Sequence, residues 1–193
     1  YTRSSCPFFL DFKKEEIKYS SYLTSECLVH NHKILKFVSR NKIDIVIYTQ
    51  RAATGYLSEY TTKKAKAFHL SITSELRKIS SEKTRVVYLG LTPEYLPVMT
   101  GFNFIINKKG TFDFRIQSEN SLLKKYAKLN SLEYLDSMTL FCNDKKCYNN
   151  KNGIWYFYDL DHLSIEGAIF LVSNLETYID ANSLMRSKGQ DRA

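Results

Sequence analysis

The chain has 193 residues, 44% of them hydrophobic, which suits one compact domain with a sizeable core and leaves little room for two. Its formal net charge is +8, with lysines in short groups such as Lys63-Lys64, Lys108-Lys109, Lys124-Lys125 and Lys145-Lys146; such a surface suits nucleic acid, anionic lipid or acidic glycans without choosing among them. No window holds the roughly 18 consecutive apolar residues of a membrane helix, and the first residues lack a charged-then-apolar leader, so the sequence predicts neither a spanning helix nor an export signal of its own.

Along the chain, apolar residues recur at helical spacing over 28–40 and are followed by Ile43-Asp44-Ile45-Val46-Ile47-Tyr48, a β-branched run that reads as a buried strand. A second helix is predicted over 61–81, then a strand over 84–90. Residues 102–106 and 111–116, on either side of Asn107-Lys108-Lys109-Gly110, read as a β-hairpin. A third helix over 121–129 leads to a short strand over 132–135, and 165–179 reads as a long helix with Ala168, Val172, Leu175 and Ile179 on its apolar face. No repeat or linker breaks the pattern, so 1–185 is expected to form a single domain and 186–193 a polar, frayed tail.

Helices that alternate with short buried strands predict an α/β fold, three layers deep, with a mainly parallel sheet covered on both faces. Functional groups in such sheets gather at the carboxyl ends of the strands. The loops that begin Thr49-Gln50-Arg51, Leu91-Thr92-Pro93 and Asp136-Ser137 are therefore expected to share a rim with the loop around His162.

Four cysteines allow three pairings; Cys142 with Cys147 and Cys6 with Cys27 each close a local loop, and that pairing implies an oxidising compartment. Neither spacing matches the tight pairs of a zinc site, and no metal is expected. The fourteen tyrosines and twelve phenylalanines suit stacking on sugars or bases, but most belong to a core, and no nucleic-acid motif accompanies them.

The stretch Tyr158-Asp159-Leu160-Asp161-His162-Leu163-Ser164-Ile165-Glu166-Gly167-Ala168 places two carboxylates and the last histidine directly ahead of the long helix. A polar helix entry accounts for the residue types. So does a proton shuttle, an imidazole oriented by a carboxylate to activate a nucleophile. Ser164 reads as the N-cap of the helix rather than a nucleophile. His30 and His32 fall on different faces of one predicted helix and His69 stands alone in another, so each reads as structural or exposed.

With its Leu163-Ser164 and Gly167-Ala168 continuation, this block resembles the D-x-x-H block of the SGNH (GDSL-like) hydrolase superfamily. It is most similar to SGNH domains fused to type 3 membrane acyltransferases that O-acetylate bacterial surface polysaccharides. The Cys142 to Cys147 loop ahead of the block, the strand Ile43-Asp44-Ile45-Val46-Ile47-Tyr48-Thr49-Gln50-Arg51 and the early Ser5-Cys6-Pro7-Phe8 extend the likeness from about residue 4 to 180. The resemblance implies that His162 is the general base and Asp159, rather than Asp161, the carboxylate that orients it. The superfamily's G-x-N-D block is replaced by Gln50-Arg51-Ala52-Ala53, so Arg51 or Gln50 is the expected oxyanion or substrate donor.

No Gly-Asp-Ser occurs in the sequence, so the nucleophile and the first strand that carries it are expected upstream of Tyr1. By the same resemblance the function is O-acetyl transfer to a bacterial surface polysaccharide such as lipopolysaccharide O-antigen, through a Ser-His-Asp triad on the periplasmic side of the inner membrane. The acetyl group would come ultimately from acetyl-CoA, delivered by a membrane acyltransferase domain of the same polypeptide; no cofactor bound by this domain and no nucleic-acid partner are expected. An acetylesterase with the same triad and a non-catalytic glycan-binding domain are the alternatives.

Overall fold

In a computed structural model of the chain, the described residues are 21–50, 61–80, 84–94, 98–100, 103–105, 114–143, 147–159 and 162–190. The contacts divide them between two units: one takes residues 1–91 and 115–136, the other 92–114 and 137–193.

The first unit is built on three parallel strands in the order β1-β2-β5, formed by β1 (Ile45–Tyr48), β2 (Arg85–Leu89) and β5 (Glu133–Leu135). The register pairs Val46 with Val86 and Tyr48 with Tyr88 on one side of β2, and Tyr88 with Tyr134 on the other. The central strand, Arg-Val-Val-Tyr-Leu, is buried from Val86 to Leu89, as an apolar β-branched run with neighbours on both sides must be. Its one charge, Arg85, forms a fork with Glu133 of β5, Nε to Oε1 at 3.0 Å and Nη2 to Oε2 at 2.9 Å.

Three helices complete this unit: α1 (Ser21–Arg40), α2 (Thr62–Ile79) and α3 (Phe114–Leu129, from Arg115 onward). Thr61 caps α2, its hydroxyl accepting from the Lys64 backbone at 3.1 Å, and the buried stripe Ala65, Phe68, Ile72, Leu76, Ile79 repeats at three- and four-residue intervals. The corresponding stripe of α3 is Ile116, Asn120, Leu123 and Ala127. Asn130, just past α3, donates to Thr73 of α2 at 3.0 Å, so the two crossover helices lie side by side, as right-handed crossovers that advance in one direction require.

The second unit holds two antiparallel pairs, β3 (Val98–Thr100) with β4 (Asn103–Ile105) and β6 (Asn150–Lys151) with β7 (Ile154–Trp155), together with α4 (Met138–Phe141) and α5 (Ile165–Gln190). Asn152 and Gly153 turn the β6–β7 hairpin at φ 55° and 81°, the left-handed region that this dipeptide tolerates best. Its core is aromatic: Phe141 meets Tyr156, Phe157 and Phe170 edge-on with centroids 5.3–5.6 Å apart, and Tyr156 stacks on Phe170 at 4.9 Å.

The mixed α/β class with a parallel sheet agrees with the sequence; several details differ. The hairpin pairs 98–100 with 103–105, and the expected second arm is helical from Phe114, so α3 is longer than 121–129. The strict alternation of Thr111-Phe112-Asp113-Phe114-Arg115-Ile116 suggests a strand, but Ile116 begins the buried stripe of α3, and tertiary burial decides. The last helix runs from Ile165 to Gln190, past the expected end at 179. Its buried face is Gly167, Leu171 and Leu175; of the expected stripe Leu175 is buried and Ile179 half-buried, whereas Ala168 and Val172 are exposed.

Candidate active site

The site loop hangs from the aromatic core of the second unit. Tyr156 and Phe157 are buried; the chain then turns out and returns so that Phe157 and Leu163 form an antiparallel bridge, closed by the Tyr158 N–H donating to the His162 carbonyl at 2.8 Å. Both ends of the loop are thereby fixed before any side chain is considered.

On the return arm Ser164 caps α5. Its hydroxyl accepts from the Gly167 N–H at 2.9 Å and donates to the Trp155 carbonyl at 2.5 Å, while its own N–H donates to the Tyr156 carbonyl at 3.0 Å. A hydroxyl engaged in this way is an anchor, as the sequence indicates. Gly167 lets the helix approach: a Cβ there would overlap the Tyr156 carbonyl oxygen.

Within the loop, Asp159 serves His162 twice. Its Oδ1 accepts from the His162 backbone N–H at 2.8 Å, and Oδ2 lies 2.8 Å from the ring Nδ1. A carboxylate beside Nδ1 holds the proton on that nitrogen, which leaves Nε2 as the basic atom of the ring. The side chains are 68% and 43% exposed, where an ion pair adds little stability, so the geometry has value chiefly as orientation. Asp161, the rival carboxylate, lies outside the described residues.

Cys142 at the end of α4 is bonded to Cys147, and the Tyr148 N–H returns to the Phe141 carbonyl at 2.7 Å, so the disulfide closes the polar loop directly ahead of the β6–β7 hairpin. Cys27 is buried and also disulfide-bonded; the expected partner, Cys6, lies outside the described residues.

Of the two donors expected at the end of β1, Arg51 lies outside the described residues and Gln50 within them. Gln50 accepts from the Tyr48 hydroxyl at 2.9 Å, and its amide nitrogen is 3.3 Å from Nδ1 of His69. His69 is not isolated: it is fully buried and faces Glu119 of α3. Sequence reasoning misses this group because its members are distant along the chain, and a lone histidine in a helix gives no signal. His32 is exposed, its ring Nδ1 donating to the Leu28 carbonyl at 2.8 Å. No cluster of three or more metal-ligating side chains occurs among the described residues.

A parallel α/β sheet, a disulfide loop and an Asp-x-x-His loop ahead of the last helix define the class: the chain belongs to the family of SGNH domains fused to AT3 domains, which matches residues 1–177. Two solved structures carry the fold comparison further. The periplasmic domain of a lipopolysaccharide acetyltransferase from Salmonella ser. Paratyphi A superposes with a TM-score of 0.63 at 17% identity, over 79% of this chain and 63% of that one. A peptidoglycan O-acetylesterase superposes with a TM-score of 0.59 at 16% identity, over 80% of this chain and 41% of that one. The chain thus spans less than two thirds of either, and at these identities the likeness is one of fold. No curated protein matches the chain.

Proposed function

We propose that this chain is the acyl-transferring domain of a membrane acyltransferase that O-acetylates a bacterial surface polysaccharide, such as lipopolysaccharide O-antigen, on the periplasmic side of the membrane. The observation that carries the reading is the bidentate hold of Asp159 on His162, which fixes the ring with Nε2 as its basic atom. The family's fusion to AT3 domains supports a membrane partner within one polypeptide. Among the described residues no helix is long and apolar enough to cross a membrane, so the membrane part is assigned to that partner.

In this scheme a serine in polypeptide outside these 193 residues is the nucleophile. His162 Nε2 takes its hydroxyl proton as the serine oxygen bonds to the acetyl carbonyl carbon. The bond from that carbon to the donor then breaks, the donor leaves with the proton from His162, and an acetyl-serine remains. A sugar hydroxyl attacks next, His162 takes the sugar's proton, and the serine leaves with it. Asp159 stabilises the imidazolium in both half-reactions. Gln50 and Arg51 are assigned to the acyl oxygen or the substrate. The acetyl group originates from acetyl-CoA on the other side of the membrane; the domain's own steps need no bound cofactor.

The experiment is acetyl content of the surface polysaccharide, read by NMR or mass spectrometry, in cells that make the full-length protein. His162→Ala should reduce transfer on the order of 10²–10⁴-fold, and Asp159→Asn within the same range, at unchanged protein level. Wild-type acetylation in His162→Ala overturns the reading. The likeness to an O-acetylesterase favours one second reading, hydrolysis with water as acceptor. Acetate release that is unaffected by added glycan would select it, whereas acetyl groups appearing on the glycan select transfer.

A further inference from the structure

The neck of the site loop in the second unit has two faces. Phe157 and Leu163 bridge across it, and the flanking hydrogen bonds, from the Tyr158 N–H to the His162 carbonyl at 2.8 Å and from the Ser164 N–H to the Tyr156 carbonyl at 3.0 Å, make them the closely approached pair of an antiparallel ladder. One residue further towards the tip of each arm stand Tyr158 and His162, opposite one another. Opposed residues of an antiparallel pair project to the same face, and the residues before and after them along each arm project to the other. Burial follows that alternation: Phe157 belongs to the aromatic core, whereas Tyr158 and the His162 side chain stand in solvent.

Tyr158 is 81% exposed, the highest value among the exposed large hydrophobic side chains of the described residues. Its hydroxyl and ring have no hydrogen-bond or ring partner among the described residues, so packing within the second unit does not account for a large aromatic side chain at this position. Its backbone, by contrast, is held, with the N–H engaged by His162 and the preceding residue buried. A flat side chain with few torsions on a fixed neck loses little freedom when a ligand settles on it. Singly exposed apolar residues are ordinary on a protein surface. This one stands directly across the neck from the imidazole that Asp159 orients.

We propose that Tyr158 is a specificity-determining residue: the face of its ring is the platform on which a pyranose ring of the acceptor glycan stacks beside His162. This rests on the acyl-transfer reading above and assigns, within it, the side chain that holds the acceptor. A pyranose presents a face of C–H groups and a rim of hydroxyls. An aromatic ring covers the face without competing for the rim, so the sugar lies flat with its hydroxyls free to meet the base. Water has no such face, and the stack therefore favours a sugar hydroxyl over water as the acceptor.

The test uses the full-length protein, with surface polysaccharide purified from cells that lack it as the varied acceptor, and His162→Ala as the reference for the reading itself. Tyr158→Ala should raise KM for that polysaccharide about 5- to 50-fold while kcat stays near wild type, the pattern of a contact made equally in the ground and transition states. Tyr158→Phe, which keeps the ring face, should recover most of the loss; Tyr158→Leu, which keeps apolar bulk without a flat ring, should not. At one polysaccharide concentration below KM, the ratio of acetate released to acetyl transferred should rise in Tyr158→Ala and return in Tyr158→Phe. Wild-type KM in Tyr158→Ala, with transfer lost in His162→Ala, overturns the inference and leaves the function standing. So does full recovery by Tyr158→Leu, or a fall in kcat and melting temperature at constant KM, which would show the ring packed against protein. Unchanged transfer in His162→Ala overturns both.

Discussion

Gly90 shows how little space the end of β2 offers. A Cβ there would lie 2.5 Å from the Tyr134 hydroxyl and 2.9 Å from Asn120 Oδ1, and neither atom can withdraw cheaply. Asn120 is buried and clamps Leu91 through both its groups, accepting from the backbone N–H at 2.7 Å and donating to the carbonyl at 2.8 Å, while Tyr134 donates to the same Oδ1 at 3.0 Å. Gly90→Ala should therefore lower stability by about 1–3 kcal/mol in urea unfolding, with the wild-type fold retained. Tyr134 gives a pH signature. Burial, and then the charge of Asp136, push its hydroxyl above the usual tyrosine range. In the unfolded chain it ionises near pH 10, so above that pH the folded state binds more protons and stability falls as pH rises, by up to about 1.4 kcal/mol per unit from this group. Unfolding measured between about pH 9 and 11 should show a shallower decline in Tyr134→Phe than in wild type.

The start of α5 links packing to the site loop. Gly167 lies against the Tyr156 backbone, and Ser164 spans from Trp155 to the first turn of the helix, so these contacts tie the helix entry to the His162 loop. Gly167→Ala must push the helix off a carbonyl rather than a flexible side chain. It should lower stability by about 1–3 kcal/mol and reduce transfer in the full-length protein by more than the loss of folded protein explains. Equal losses would show that the loop does not depend on this contact. Such elements differ in how much of them the sequence shows. The His162–Asp159 pair is local, three residues apart, and can be read directly; so can β2, a β-branched run between turn residues. At its start the buried face of α5 falls on Gly167 and Leu171 rather than on Ala168 and Val172, because Gly167, with no side chain, packs against the Tyr156 backbone. The β6–β7 hairpin gives little sequence signal beyond the Asn152-Gly153 turn, since its strands have only two residues each.

In the molecule as a whole, the alternation of helix and strand exposed the fold class, whereas the Tyr48, Gln50, His69 and Glu119 group depends on where the crossover helices come to rest, which no local pattern records. The Cys142–Cys147 bond is of the kind that persists in an oxidising compartment, and SGNH domains of this family are fused to AT3 domains. Among the described residues β1 has a strand neighbour on one side, β2, and its Ile47 is 47% exposed although β2 is buried from Val86 to Leu89. An apolar β-branched strand of a parallel sheet is normally covered; in the proposed scheme the nucleophilic serine lies outside these 193 residues. A fluorophosphonate probe, which reacts with activated serines, tests this division of labour. The 193 residues alone should remain unlabelled, whereas the full-length protein should label on one serine outside them and lose the label in His162→Ala. Labelling of the 193-residue chain itself would place the nucleophile among its own serines, and a full-length protein that never labels would leave His162 oriented for binding rather than for proton transfer.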